Sequence, residues 1–239
     1  MRLHTENLVM VTSLPLFPIP LCLYNYGEDN HELNIELVTD ILNEFNKDPR
    51  GKQSSNFGGW HSKSDLEIKY PSLDSLRKKI EESANDYCIR HGYQSGLTCE
   101  NLWANINETG DMNVGHHHGN SALSGVYYPV EYIIDNKCNF NYTKSNPIQP
   151  GIWDGKKGGS IYFQDPSYGL KTGLIKDGTP NAFTLDAYHT YPVAGLLIIF
   201  PSYLIHCVTP FKEKLKRISI SFTANYGKST TDDTQNTTS

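Results

Sequence analysis

The chain has 239 residues and a formal net charge of -5, and 38% of its residues are hydrophobic. This length fits one large domain with a substantial core. The negative balance, with no long run of Lys and Arg, argues against a dedicated nucleic-acid-binding protein, and no apolar run is long enough to cross a membrane.

The five cysteines are scattered, and none belongs to a Cys-x-x-Cys pair. This pattern excludes a zinc ribbon and disfavours a disulfide framework. The N-terminus carries charge and lacks an apolar stretch of signal-peptide length. We therefore expect a cytoplasmic protein with no evident nucleic-acid or membrane partner.

The N-terminal part of the chain predicts an extended segment, a helix and a loop. Residues 8–24 alternate apolar residues with prolines, which is typical of an edge strand. Apolar residues then recur at helical spacing, so residues 32–47 are predicted to form an amphipathic helix. The polar, Gly-rich residues 48–70 predict a loop.

A second helix is predicted from Pro71 to Gly92, with Ser72 as its N-cap. After Thr98 the sequence indicates strands and turns, in agreement with its 15 Tyr and 19 Gly. The predicted strands are 98–107, 122–131, 159–164, 182–185, 195–200, 204–209 and 216–225. We expect residues 1–226 to form a single domain and residues 227–239 a disordered tail.

Three histidines have the spacing of a possible metal site. His116 and His118 are two residues apart, so on an extended chain both can face one metal while His117 points away. A run of histidines alone is typical of an exposed turn. The presence of His206 further along, between proline-containing turns that would place it at a β-edge, favours metal binding.

Arg217, eleven residues after His206, is a further candidate site residue. It alternates with Ser219 and Ser221 on one face of a strand whose other face is apolar. A guanidinium buried on a polar inner face is costly unless it has a partner. A carboxylate fits it with two parallel hydrogen bonds, so the partner is either an acidic side chain in a structural salt bridge or the carboxylate of a ligand.

Several sequence blocks in a fixed order carry a family resemblance. They are Asn56–His61, Asn101–Asn105, His116-x-His118 leading into Ser124–Tyr128, Gly158–Pro166, and Gly195–Ser202 followed by His206 and Arg217-x-Ser219. Together they resemble the 2-oxoglutarate/Fe(II)-dependent oxygenase superfamily, and within it a branch common in bacteria and in phages of marine bacteria. The match spans roughly residues 14–226, and it would place the protein in the cytoplasm of a bacterium or of a phage-infected host cell.

The resemblance implies a mainly β fold, a double-stranded β-helix (jelly-roll) with the N-terminal helices buttressing one sheet. It also implies Fe(II) and 2-oxoglutarate as cofactors. The implied metal ligands are His116, His118 and His206. The implied or candidate contacts of the co-substrate are Arg217, Ser219, Tyr128 and Asn105.

Position 118 departs from the wider superfamily, in which most members have Asp or Glu there. A set of three imidazoles lacks the negative charge of a carboxylate, which alters the affinity for iron. Two alternatives keep a carboxylate ligand: Asp111 could swing in, or Asp165 could approach from a neighbouring strand. Gly119 stands where the branch has proline, which loosens the turn.

The implied activity is that of a 2-oxoglutarate-dependent dioxygenase that hydroxylates an unidentified small molecule or peptide. Prolyl-hydroxylase-like activity is an analogy of fold. A second hypothesis is a cupin-like metal protein or three-histidine dioxygenase that does not use 2-oxoglutarate, and a third is a metal-free jelly-roll module. Specificity is expected in residues 48–70, 132–157 and 166–194, and the last two ranges are insertions that would cover the barrel mouth.

Overall fold

The computed structural model describes residues 18–142, 147–150, 158–167, 186–212 and 214–227. Within these ranges the chain forms three α-helices and fourteen strands. The helices are α1 (His31–Lys47), α2 (Leu66–Lys69) and α3 (Pro71–Arg90). The strands, in chain order, are β1 (Cys22–Asn25), β2 (Asn56–Phe57), β3 (Trp60–His61), β4 (Leu97–Asn107), β5 (Met112–His116), β6 (Leu123–Tyr128), β7 (Tyr132–Ile134), β8 (Lys137–Asn139), β9 (Gln149–Pro150), β10 (Ile161–Gln164), β11 (Ala187–Thr190), β12 (Leu196–Pro201), β13 (His206–Val208) and β14 (Arg217–Tyr226).

Two six-stranded antiparallel sheets contain all of these strands except the β7–β8 hairpin. The major sheet has the order β1-β12-β6-β14-β4-β3, and the minor sheet has the order β2-β5-β13-β10-β11-β9. Neighbouring strands in both sheets are often far apart in sequence. The mainly β prediction and the double-stranded β-helix are confirmed.

The alternation predicted for the last strand is confirmed, and it separates two environments. Ile218 and Ile220 of β14 join the core between the major sheet and helices α1 and α3. Arg217 and Ser219 point the opposite way and line a cavity between the two sheets. The helices therefore buttress one side of the major sheet, and the other side is available for a site.

The helix predictions are confirmed in position, but the predicted cap is wrong. The N-cap of α3 is Tyr70, and Pro71 occupies the first turn, where its missing N–H costs nothing. Ser72 lies inside the helix, and its hydroxyl donates to Asp40 of α1 at 2.6 Å. A tertiary contact thus replaces the local cap. No helix in the described residues is long and apolar enough to cross a membrane.

The segment 48–70 contains more structure than the predicted loop. It includes β2, β3 and α2, and the two strands pair with β5 and β4 respectively. Strands of two residues are too short to show a periodic pattern in the sequence. The edges of the two sheets decide where such strands form. Here the sequence prediction is wrong.

The strands predicted after Thr98 are confirmed at β4, β6, β10, β12, β13 and β14. The strand predicted at 182–185 and the tail beyond residue 227 lie outside the described residues. The sequence missed β5, whose two polar residues and one glycine give little alternation, and β11, which lies inside the supposed insertion 166–194. Of the extended segment predicted at 8–24, residues 8–17 lie outside the described residues, and within 18–24 a strand begins at Cys22, in β1.

Two glycines before β10 allow it to approach the chain that follows β13. A Cβ on Gly158 would overlap the backbone of Pro210, and one on Gly159 would overlap the ring of Phe211. Gly159 also has a φ of 77°, which side chains rarely adopt. Both glycines therefore serve a close approach of the two chain segments at this point.

Candidate active site

A β-bulge in β5 turns two polar residues toward the space between the sheets. His116 lies directly opposite His206 of β13, but Asn113 lies opposite Val208, so β5 has one extra residue in this stretch. A bulge reverses the usual alternation of side chains. His116 and Asn113 therefore both line the cavity, although they are three residues apart.

His118 joins the other two histidines from beyond the end of β5. Its backbone N–H donates to the backbone carbonyl of Ser202, just after β12, at 2.8 Å. The potential ligand atoms of His116, His118 and His206 all lie within 4.8 Å of one another. A metal ion with bonds of about 2.1 Å to each nitrogen would draw them to about 3 Å apart. The structure thus brings together the three predicted ligands.

The rings of His116 and His206 are each oriented by a local hydrogen bond of the same kind. Nδ1 of His116 contacts the carbonyl of Val114 at 2.8 Å, and Nδ1 of His206 contacts the carbonyl of Leu204 at 2.9 Å. Because a carbonyl oxygen only accepts, each Nδ1 carries the proton. Each Nε2 then keeps its lone pair, as a metal ligand requires.

Burial keeps these imidazoles neutral at physiological pH. Desolvation, assisted by the neighbouring histidines, lowers the pKa of His206 to about 3 and that of His118 to about 4, from an ordinary 6.5. The pKa of His116 is lowered for the same reason. Neutral imidazole is the form that binds metal, so the site does not have to lose protons at neutral pH.

We expect the metal-free protein to lose stability as the pH falls from about 6.5 toward 3. In this window the unfolded chain binds more protons than the folded chain, because the folded-state pKa values of His118 and His206 are depressed. Protonation therefore favours unfolding. Urea denaturation between about pH 7.5 and about pH 4 measures the free energy of unfolding. A variant with Asn at both positions should show a flatter profile, and equal profiles would contradict this assignment.

The two carboxylates considered as alternative ligands are engaged elsewhere. Asp111 Oδ2 accepts a hydrogen bond from the N–H of Glu108 at 2.7 Å, within a turn. Asp165 Oδ1 accepts from both the N–H and the hydroxyl of Ser167. Among the described residues, the group that could hold a metal contains only the three histidines. His117 is exposed and lies outside it.

Arg217 is 1% exposed, and its described partners are all neutral. Nη1 donates to Ser219 Oγ at 2.9 Å and to Asn107 Oδ1 at 3.3 Å, and Nη2 donates to the hydroxyl of Tyr128 at 3.0 Å. Nε has no hydrogen-bond partner among the described residues. Within the described ranges no ion pair involves this guanidinium. A buried cation without an anion is unfavourable, so the arrangement fits an anionic ligand.

Asn105 provides a second unpaired polar atom in the same cavity. Its Nδ2 contacts Ser221 Oγ at 3.4 Å, and its Oδ1 is buried with no hydrogen-bond partner in the part of the chain that the structure describes. Exchanging the amide nitrogen and oxygen would keep the contact with the serine hydroxyl, which can donate or accept. The NH2 group would then face the cavity. Asn105 can therefore present either a donor or an acceptor to a ligand.

The cavity is lined by the histidine cluster and by Arg217, and its lining is partly polar and partly apolar. Polar residues from β4 and β14 line it, and apolar residues line it from β6 and β12 of the same sheet and from β10 of the minor sheet, including Val126, Phe200 and Ile161. The predictions omitted Asn107 and Trp103. Both follow from the two-residue period that passes through Asn105 in β4, so the signal was present in the sequence.

A protein-family model described as "Putative 2OG-Fe(II) oxygenase" matches residues 101–223, just over half of the chain. The matched segment includes the three histidines and Arg217. A search of curated proteins gave no match.

Among solved structures the chain is similar to a Pseudomonas putida prolyl-4-hydroxylase, with 15% identity, a TM-score of 0.54 and coverage of 87% of this chain and 94% of that one. It is also similar to SnoK, a non-heme alpha ketoglutarate dependent carbocyclase from nogalamycin biosynthesis, with 9% identity, a TM-score of 0.59 and coverage of 87% of this chain and 80% of that one. A third similar structure is that of HygX from Streptomyces hygroscopicus with nickel and 2-oxoglutarate bound. The identity is 11%, the TM-score is 0.51, and the match covers 88% of this chain and 84% of that one. At these identities the likeness concerns the fold.

The described residues fit the cofactors of this family. Three neutral imidazoles with free ring nitrogens suit Fe(II), and a buried guanidinium without an anion suits a dicarboxylate such as 2-oxoglutarate. The chain belongs to the 2-oxoglutarate/Fe(II)-dependent oxygenases, and it is an oxidoreductase that uses Fe(II) and 2-oxoglutarate.

Proposed function

We propose that this enzyme hydroxylates a carbon atom of a small-molecule or peptide substrate. His116, His118 and His206 hold Fe(II), and Arg217 binds the distal carboxylate of 2-oxoglutarate. The observation that carries the proposal is the buried Arg217, whose described partners are all neutral, at one end of a cavity that reaches the histidines. If the protein bound a metal but not 2-oxoglutarate, the positive charge of Arg217 would have no anionic partner among the described residues.

The residues around Arg217 fix the direction of its guanidinium before the ligand arrives. Ser219, Asn107 and Tyr128 each accept one of its hydrogen bonds, and the guanidinium also lies 5.0 Å from the centre of the Tyr128 ring. Such preorganisation reduces the entropy lost on binding. The role of Tyr128 and Ser219 is then to hold Arg217 as well as to contact the co-substrate.

The remaining residues orient the co-substrate and exclude water. Asn105 offers its amide atom to the 2-oxoglutarate chain, and the apolar side chains of Val126, Ile161 and Phe200 in the same cavity keep solvent away from it. When bound, iron and 2-oxoglutarate supply the oxidising chemistry, which consumes O2 and releases succinate and CO2. One oxygen atom enters succinate, and the other converts a substrate C–H into C–OH.

Hydroxylation is supported by analogy with the prolyl-4-hydroxylase of similar fold. The same fold also carries a carbocyclase, so the outcome depends on how the substrate is held. The minor sheet offers one place for it. Phe163 lies opposite His206, and Tyr188 lies opposite Phe163 on the next strand. Tyr188 is 39% exposed, so we propose that its ring contacts the substrate at the open side of the metal.

The test is turnover of 2-oxoglutarate to succinate by protein loaded with Fe(II) under air. We expect slow uncoupled turnover alone and faster turnover with the correct member of pools of proline-containing peptides, nucleotides and metabolites. The product should be heavier than the substrate by the mass of one oxygen atom. Arg217→Met and His206→Ala serve as inactive controls. Succinate formation no faster than in these controls, with every pool, would contradict the proposal.

Replacing His118 with Asp is expected to retain metal binding and to raise the affinity for Fe(II). The change restores the negative ligand that most members of the superfamily have, and a carboxylate attracts a dication more strongly than a neutral imidazole does. Calorimetric titration with Fe(II) under anaerobic conditions measures the affinity. Loss of binding in His118→Asp, with the fold intact by circular dichroism, would show that the site requires three imidazoles.

A further inference from the structure

The third histidine of the cluster lacks the hydrogen bond that orients the other two. His116 and His206 each direct Nδ1 to a carbonyl two residues earlier in the chain. Within the described residues no hydrogen bond holds the ring of His118, although its backbone is fixed by Ser202. Metal-binding histidines almost always have such a partner, because it fixes the direction of the ring. Something else has to orient His118.

The ring of Trp103 is in a position to do so. Trp103 lies on β4 with its side chain on the cavity side of the major sheet, and its ring centre is 5.6 Å from that of His118 at an interplanar angle of 58°. This is within the range of favourable aromatic pairs. An indole of this size restricts rotation of the imidazole without using either of its nitrogen atoms.

His61 in turn holds Trp103. In the β3–β4 ladder His61 lies opposite Asn105, so Trp103, two residues along, is its diagonal neighbour on the same face. The two rings are stacked, with centres 5.7 Å apart and planes within 7° of parallel. His61 is 6% exposed, and its Nδ1 donates to the carbonyl of Ser62 at 2.6 Å, which fixes its own ring.

We infer that Trp103 and His61 are positioning residues for the metal site, and that the stack of His61 on Trp103 orients His118 in place of a hydrogen bond. The inference rests on the proposed role of His118 as a ligand. It assigns a role to the block Asn56–His61: its last residue supports the site through β4 and touches neither metal nor co-substrate.

The test measures the affinity of the metal-free protein for Co(II) by calorimetry, with the visible absorption of the bound ion as a second readout. Trp103→Leu is expected to weaken binding about 10- to 100-fold, the usual effect of removing an outer partner of a ligand. Trp103→Phe, which keeps a ring, should stay within about threefold of wild type. His61→Phe should likewise bind more tightly than His61→Ala.

Phe45→Leu is the matched control. It also replaces an aromatic ring that packs against another ring with leucine, but Phe45 meets the ring of Trp60 edge-on at the helix side of the major sheet, away from the cavity. Its Co(II) affinity should equal that of wild type. Thermal unfolding of each metal-free variant separates loss of the fold from loss of metal binding, and the Trp103→Phe rescue supplies the comparison if Trp103→Leu does not fold.

A double-mutant cycle with His118→Asp, which is expected to retain metal binding, separates the inference from the function on which it rests. If Trp103 acts through the imidazole of His118, Trp103→Leu should weaken Co(II) binding in wild type but change it less than about twofold in the His118→Asp background. Equal losses in both backgrounds would overturn the positioning role alone. A His118→Ala variant with unchanged Co(II) affinity would overturn the ligand assignment, and the inference with it.

Discussion

Replacing His206 with alanine is expected to abolish Fe(II) binding, with a loss of affinity of at least about 100-fold. His206 is 7% exposed, lies opposite His116 in the minor sheet, and is held by the carbonyl of Leu204. Without it only two imidazoles remain, which is too few to hold iron against water. Metal content after loading and desalting, together with calorimetric titration, measures the effect.

His117→Ala is the matched control for this change, because His117 is an exposed histidine beside the cluster. It should bind Fe(II) as tightly as the unaltered protein does. The fold of the His206 variant should persist, since the change removes a buried ionisable group whose neighbours Phe163 and Phe200 remain. One equivalent of tightly held Fe(II) in His206→Ala would show that the ligand assignment is wrong.

Arg217→Lys is expected to weaken 2-oxoglutarate binding although the charge is kept. An ammonium cannot make the two parallel hydrogen bonds of a guanidinium, and it cannot at the same time reach Ser219, Asn107 and Tyr128. Losing one charge-assisted hydrogen bond costs about 1.5–3 kcal/mol, or roughly ten- to a hundred-fold in affinity. Calorimetric titration of Mn(II)-loaded protein with 2-oxoglutarate measures this, and Mn(II) affinity itself should not change.

Arg217→Met extends the test to stability. It should abolish 2-oxoglutarate binding, yet leave the metal-free protein as stable as before or more stable, because it removes a buried cation that has no anionic partner among the described residues. Thermal unfolding with and without 2-oxoglutarate measures both effects: the ligand should raise the melting temperature only in the unaltered protein. Strong destabilisation of the ligand-free variant would instead indicate that Arg217 is part of a structural network.

The sequence by itself determined the family, the mainly β fold and the three histidines and the arginine that the structure brings together, but it did not single out Trp103 or Asn107. The alternation of Arg217, Ser219 and Ser221 with apolar residues predicted which face of β14 turns away from the helices, and the structure confirms it. These features could be predicted because each depends on a short stretch of chain: a two-residue period in a strand, or a helical period in α1. The single-domain boundary at residue 226 and the assignment to a particular branch stay predictions.

Only the tertiary structure decided how the site is assembled. The bulge that turns both Asn113 and His116 inward exists because β5 pairs with β13, which is distant in sequence. The same reason applies to the short strand β3, whose pairing with β4 places His61 beside Trp103. Contacts of this kind depend on which strands become neighbours, and no local pattern of residues records that choice.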